Sequence, residues 1–575
     1  MTALLAWLTS LMPHLMLAPI VLPMFAAALM LLLREEQQNI KVVMNIAATA
    51  LGLIVSVALL LWTDQAGATT TMGVYLPGNW PTPFGIVLAL DRLSAMMLLL
   101  TSSVALACSV FATARWHKAG VHFYPLFQFQ LMGLAGAFLT ADLFNLFVFF
   151  EIMLAASYGL LLHGSGRLRV QAGLHYIAIN LAASSLFLIG VSMLYGITGT
   201  LNMADLAQAI PQVLEADRGL LHAAAGILAT AFLVKAAVWP LNFWLVPGYS
   251  AATAPVGALF ALMTKVGIYT ILRLWTLMFS SEAGGSALFG GQWLIVGGMA
   301  TMAFGGIGML AATRLTHLAG YAAILSSGTL LAAIGFGQNM LTAGLLYYLP
   351  SSTLAVAILF MLADIMDRWR NDGSSLSDID DEEAPFLSAE LLPTKGLNLD
   401  ENEQVLIGRV IPAAAAFLGL AFIMCTLVVT GLPPLSGFIG KFAMLTTLVN
   451  PLGLGQSSGY PTGQAGWLLL ALMIGTGLLA LVALVRAGIR HFWATHERRK
   501  PDIRIAESLP IAALMAVCVV LTVKANDVMR YTQSAANALH APATYIRSVM
   551  DTQTIPNPGT VVPDLSEASS SEDLP

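Results

Sequence analysis

The chain has 575 residues, of which 58% are hydrophobic and only 10% charged, with a net charge of −5 and a mean hydropathy of +0.79. Soluble domains carry about 25% charged residues, so this composition excludes an ordinary soluble protein and leaves an integral membrane protein. Cys108, Cys425 and Cys518 each stand alone in an apolar run, a pattern that offers no disulfide framework, zinc site or iron–sulfur ligation. There is no P-loop, and Gly305, Gly306 and Gly308 lie within an apolar run rather than after a strand. No metal, cofactor or nucleic-acid partner is therefore expected, and the lipid bilayer is the environment.

A spanning helix needs about 20 apolar residues. The chain holds about fourteen such runs, centred near residues 24, 51, 101, 130, 153, 185, 231, 266, 301, 326, 354, 420, 477 and 514. The fold class read from them is an all-α polytopic membrane protein with about 14 transmembrane helices. The start, MTALLAWLTSLMPHLM, has no basic n-region and does not read as a cleaved signal peptide. Loops after the odd-numbered runs hold most of the 26 Lys and Arg residues. The positive-inside rule puts those loops in the cytoplasm and both termini on the outer side.

In chain order, the first two runs read as an opening hairpin. Residues 63–87 lack Lys and Arg and are rich in Gly, Pro and Thr, so they read as an outer loop with short strands or turns. Between 121 and 163 a break at Thr140–Asp142 separates two helices, and Asp142 suits the cap of the second. That helix places Glu151 roughly 13 Å beyond Asp142, near the membrane centre. An intramembrane carboxylate is a functional candidate by default. The next helix carries His175, Asn180, Ser184 and Ser185, which read either as a wet seam or as ordinary interhelical contacts.

The stretch FLVKAAVWPLNFWLVPGYSAATAPVGALFALMTK, residues 232–265, carries Lys235 and Lys265 inside apolar runs, with Pro240 between them. A lysine at the centre of a spanning helix costs about 2.5–3.5 kcal/mol on insertion scales. Proline removes a helical hydrogen bond and frees a carbonyl, and irregular backbone at that depth must be buried in protein or line a wet cavity. Together these residues point to a polar pathway with a titratable cation in it. His317 begins the tenth run as a possible relay or a structural residue, and Ser351 and Ser352 follow Pro350 in the eleventh. Residues 371–404 are acidic and read as a solvated cytoplasmic loop. The twelfth run, TGLPPLSGFIGKFAML, is interrupted at Pro433 and Pro434, and Lys441 follows. Its PLSGF echoes PLNFW at 240–244 about five helices earlier, an odd number that inverts the second copy. The loop RAGIRHFWATHERRKPDIR reads as basic and cytoplasmic, near anionic lipid. The tail after about residue 550 reads as disordered.

The stretches DLFNLFVFFEIMLAASYGLLLHG, GLHYIAINLAASSLFLIGVSMLYGITGTLNMADL, LVKAAVWPLNFWLVPGYSAATAPVGALFALMTKVGIY and GLPPLSGFIGKF resemble the D-type subunit of the multi-subunit Mrp-type (Mnh/Pha) monovalent cation/proton antiporters. More broadly they resemble the antiporter-like proton-pumping subunits of respiratory complex I. The resemblance implies two inverted five-helix repeats, two broken helices, and a central axis of Glu151, Lys235, Lys265 and Lys441. It places helices 1–3 in residues 1–115 and the repeats in 116–280 and 281–490. The last helix and its flank fall in 491–550 and the tail in 551–575. It implies a proton-translocating subunit of a Na⁺ or K⁺/H⁺ antiporter in a bacterial inner membrane, with other subunits as partners. The alternative is a membrane subunit of an NADH:quinone oxidoreductase-type complex. Many relatives carry a His in helix eleven, where this chain has Ser351 and Ser352. In the mechanism expected, Glu151 pairs with Lys235 in one state, and their separation drives the proton towards Lys265 and Lys441.

Overall fold

The computed structural model describes residues 12–65, 72–116, 120, 122–374, 412–450, 463–492 and 501–555. The first eleven residues, nearly all of the acidic loop 371–404, the middle of the basic loop, and most of the 551–575 tail lie outside them.

Apolar runs close their backbone hydrogen bonds internally as helices because lipid offers none. Twelve described helices are long and apolar enough to cross a membrane, so the chain is a multi-pass membrane protein. The sequence-predicted centres at 24 and 130 fall in two shorter apolar helices, α1 (Ala18–Leu32) and α4 (Phe123–Leu139). Between them lie α2 (Gln38–Thr63), strands β1 (Gly73–Tyr75) and β2 (Leu88–Leu90), and α3 (Arg92–Thr113). The strands pair antiparallel, Gly73 opposite Leu90 and Tyr75 opposite Leu88; β1 falls within the 63–87 loop predicted to hold short strands or turns, and β2 begins just past its end.

The helices that follow are α5 (Leu143–Leu161), α6 (Arg167–Thr198), the short α7 (Met203–Ala209), α8 (Glu215–Lys235) and the seven-residue α9 (Leu245–Ala251). Then come α10 (Ala254–Met278), α11 (Gly291–Ala311), α12 (Leu315–Gly335) and α13 (Asn339–Ser374). Pro350 sits inside α13 without ending it. The second half closes with α14 (Ala413–Thr430), α15 (Ser436–Val449), α16 (Gln464–Phe492) and α17 (Ile505–Val523). Two further helices, α18 (Ala525–Leu539) and α19 (Pro542–Met550), fold back over one end of the bundle. Asn537 accepts from Asn339 at 2.8 Å, and His540 meets the Thr342 hydroxyl at 2.9 Å.

The core is centred on α10, α12 and α13, whose faces are buried nearly all round. Small residues let these helices approach closely. A Cβ on Gly305 would lie 2.7 Å from the Leu325 amide nitrogen, so α11 and α12 pack backbone to backbone. At the basic side of the bundle, buried Glu507 of α17 accepts from Arg368 at 2.6 Å and Arg115 at 3.2 Å. That carboxylate ties α3, α13 and α17 together.

Candidate functional site

The Thr140–Asp142 break is a capped one. The Asp142 carboxylate accepts from the Asn145 amide at 2.8 Å, which starts α5 and fixes the rotation of the helix bearing Glu151. The Oε1 atom of Glu151 is buried without a hydrogen-bond partner. The neighbouring Phe150 presents its ring to Lys235, whose Nζ lies 5.0 Å from the ring centre. Among the described residues no ion pair within 4.0 Å joins Glu151 to Lys235.

Lys235 is the last residue of α8 and is 6% exposed. The helix ends there because the chain turns through 236–244 before α9 begins. Two groups satisfy the freed backbone around this turn. Trp244 Nε1 donates to the Val234 carbonyl at 3.2 Å, and the Trp239 amide donates to Thr301 Oγ1 at 2.9 Å. Pro240 lies in the turn and is exposed. A cavity of about 10 Å³, bordered by Phe150, Met153, Asn180, Lys235, Trp244 and Met263, is near the minimum for one water.

α10 carries Lys265 past this turn. A Cβ on Gly267 would lie 2.8 Å from the Ala236 amide nitrogen, so only glycine lets α10 close on the end of α8. Lys265 is 1% exposed and has no carboxylate partner among the described residues. Its Nζ donates to Ser326 Oγ at 2.8 Å and reaches Ser327 Oγ at 3.5 Å. Ser326 Oγ in turn donates to Ser352 Oγ at 2.8 Å, which links α10 through α12 to α13. Ser351 points elsewhere and donates to the Tyr347 carbonyl at 3.2 Å.

The second turn follows α14. Gly431 adopts φ +78°, which suits glycine, and a Cβ there would collide with the Lys441 side chain. The turn continues through Pro433 and Pro434 into α15. From there Lys441 reaches back to donate to the α14 carbonyls of Val429 at 3.1 Å and Thr430 at 2.9 Å. These are among the last carbonyls of a helix, which have no intrahelical donor. The Lys441 Nζ also lies 5.9 Å from the centre of the Tyr348 ring, and the Tyr348 hydroxyl lies beside Ser326 and Thr329. Ser326, Ser352 and Tyr348 thus stand between Lys265 and Lys441.

Not every residue of the expected seam falls inside. Asn180 and Ser184 are buried, but His175 and Ser185 are exposed on α6, with His175 Nδ1 at 2.9 Å from the Gln171 carbonyl. The reason is helical phase. Five residues from 175 to 180 rotate the face by about 140°, whereas four from 180 to 184 rotate it by about 40°. His317 is half-buried at the start of α12.

Three parts of the site are not found by reading along the sequence. Ser326 has a weak signal, a serine pair in the apolar run ILSSG. Tyr348 has one too, a tyrosine one helical turn before Ser352. A buried ion pair is the third: Arg273 donates to Asp91 at 2.6 Å, with the Tyr269 and Tyr545 rings 5.7 and 5.3 Å from its guanidinium carbon. Asp91 also caps α3, accepting from the Ser94 amide at 2.9 Å.

Comparison with known proteins agrees with this architecture. Residues 140–381 match the family described as NADH:quinone oxidoreductase/Mrp antiporter, transmembrane. A probable K⁺/H⁺ antiporter D-type subunit of Rhizobium meliloti is 48% identical over 94% of this chain and 98% of its own length. A Na⁺/H⁺ antiporter D-type subunit of Alkalihalophilus pseudofirmus is 32% identical over 94% of this chain and 100% of its own. A chain in the Mrp complex from Dietzia sp. has the same fold, with a TM-score of 0.77 at 23% identity over 94% of this chain and 99% of that one. Full-length similarity at this level shows that the chain belongs to the D-type antiporter proteins of the Mrp and NADH:quinone oxidoreductase membrane-subunit family.

Proposed function

We propose that the chain is a proton-translocating subunit of a multi-subunit monovalent cation/proton antiporter, driven by the proton-motive force and exchanging Na⁺ or K⁺. The observation that carries this reading is one glutamate and three lysines within an apolar bundle, two of the lysines at helix-ending turns, with hydroxyls leading from Lys265 towards Lys441. The names of the relatives support it, and they favour exchange over quinone-linked redox work.

In this reading a proton reaches Lys235 under the influence of Glu151. Burial disfavours a charged amine, and a nearby carboxylate favours it. Bringing Glu151 and Lys235 into contact holds the proton; the separated arrangement releases it towards Lys265. In a low-dielectric interior this coupling is strong. Ser326 and Ser352 each carry one hydroxyl donor and lone pairs, so they pass the proton on through Tyr348 towards Lys441.

The same reading counts α1 and α4 as spans, for fourteen in all, with Pro240 and Pro433–Pro434 marking two broken helices. It groups residues 116–280 and 281–490 as the two inverted repeats. It sets the chain in a bacterial inner membrane among other hydrophobic subunits, with basic loops inside and both termini outside.

The test is ΔpH-driven exchange in everted vesicles, with Na⁺ and K⁺ offered separately to the assembled complex. Glu151→Ala and Lys235→Ala are each expected to abolish exchange while the complex still copurifies. Normal exchange in both variants overturns the scheme.

A further inference from the structure

A second buried polar column runs along α2, on helices outside both proposed repeats for most of its length. Lys41, Asn45, Thr49, Ser56 and Thr63 are each at most 3% exposed, whereas Ile40, Val43, Ile54 and Leu61 are between 47% and 66% exposed. At about 100° per residue, the five polar positions fall within roughly 80° of arc. They extend over roughly 33 Å, about the thickness of the hydrocarbon core. The polar face of this helix is turned into protein along its whole length.

α3 and α4 answer it with polar groups. Gln128 Nε2 donates to Asn45 Oδ1 at 2.8 Å and to Thr49 Oγ1 at 3.0 Å. Ser56 and Ser102 share a hydrogen bond of 2.8 Å. Beside them lies a cavity of about 30 Å³ whose walls include Pro19, Pro23, Thr49, Thr101, Ser102 and Gln128. Thr101 is 4% exposed and its hydroxyl has no partner; Asn45 Nδ2 has none either. Pro23 lies within α1 and has no N–H to give the Pro19 carbonyl one turn back. Ordinary interhelical bonding explains the Gln128 contacts. It does not explain the cavity, on whose wall the buried Thr101 hydroxyl stands unpaired, because a buried polar group without a partner is costly. The rest of its wall, Leu22, Ala48, Leu131 and Ala135, is apolar, so the water it has room for is held where Thr49, Thr101, Ser102 and Gln128 meet.

We propose that this column is a second water-filled path into the membrane, separate from the Lys235–Lys265–Lys441 axis. Thr49, Thr101, Ser102 and Gln128 hold its ordered water, and the Lys41 amine stands at its basic end. Protons pass from water to water and onto the Lys41 nitrogen, which releases one to the aqueous side; only O–H and N–H bonds change. Leu59, at 0% exposure, is the sole buried residue of α2 between Ser56 and Thr63. It interrupts the polar column beyond Ser56, so the path proposed is a half-channel on the Lys41 side rather than a pore. The hydration stands on its own, whereas the transport role rests on the antiporter reading.

The experiment uses the assembled complex in everted vesicles, with Cys108, Cys425 and Cys518 replaced by Ala and silver ion as the probe. Ser102→Cys and Ser56→Cys, both near-isosteric, are compared with lipid-facing Ile54→Cys. Thiols react as thiolates, which need water, so the first two are expected to react roughly tenfold faster than the third. Reaction no faster than Ile54→Cys means dry helix packing and overturns the water path. Silver on Ser102→Cys, and separately Lys41→Met, are each expected to slow exchange about threefold or more. Fast labelling with unchanged exchange overturns the proton role. A Lys235→Ala complex that labels normally but does not exchange keeps the two readings distinguishable.

Discussion

Ser326→Ala is the sharpest probe of the bridge between the lysines. Lys265 Nζ donates to Ser326 at 2.8 Å and only approaches Ser327 at 3.5 Å, and Ser326 alone passes the contact on to Ser352, at 2.8 Å. A hydrogen bond involving a charged group contributes about 1.5–3 kcal/mol, and an ordinary one about 0.5–1.5. Each 1.36 kcal/mol is about tenfold in rate. Ser326→Ala is therefore expected to slow exchange roughly tenfold or more. Ser327→Ala, which removes the long contact, is expected to slow it by less than about threefold. Ser326→Thr keeps the hydroxyl and is expected to retain most activity. The assay is ΔpH-driven cation exchange in everted vesicles, normalised to assembled complex by copurification. Equal rates for Ser326→Ala and the parent chain, or a larger defect in Ser327→Ala, refute the bridge.

Three further outcomes follow from the geometry. Gly267→Ala drives a methyl group against the Ala236 amide nitrogen 2.8 Å away; overpacking of this kind costs about 1–3 kcal/mol, so both thermal stability and exchange are expected to fall. Glu507→Gln weakens the bonds to Arg368 and Arg115, at 2.6 and 3.2 Å. Both arginines are partly exposed, so the cost is discounted from the buried-pair range to about 1–3 kcal/mol. The melting temperature is expected to drop while exchange per assembled complex stays unchanged. His540, in the turn between α18 and α19, has its proton affinity lowered by burial. The unfolded chain binds the extra proton, so stability is full above about pH 6.5 and falls as the pH drops below it. A pH series of thermal melts is expected to show a shallower acid slope in His540→Gln than in the parent chain.

Much of the layout was legible along the chain. Apolar runs located the helices because each must satisfy its own backbone in lipid. Charged residues inside those runs located Glu151, Lys235, Lys265 and Lys441, because a charge within an apolar run demands a reason. The prolines marked the turns at 236–244 and 431–435, and Asp142 announced its cap because capping is local chemistry. The acidic loop and the tail differ from the rest in composition, and they lie almost wholly outside the described residues.

Partner choice was not legible, because it is made between helices far apart in sequence. Lys265 meets Ser326 across 61 positions, and Arg273 meets Asp91 across 182; no local pattern encodes either. Helical rotation alone turned Asn180 inward and left His175 outside. It was likewise the packing of α1 to α4 that gathered scattered Asn, Thr, Ser and Gln residues into one buried column. Local chemistry sets where a helix starts, ends and tolerates a charge, but only the assembled bundle decides which side chains share the same few ångströms.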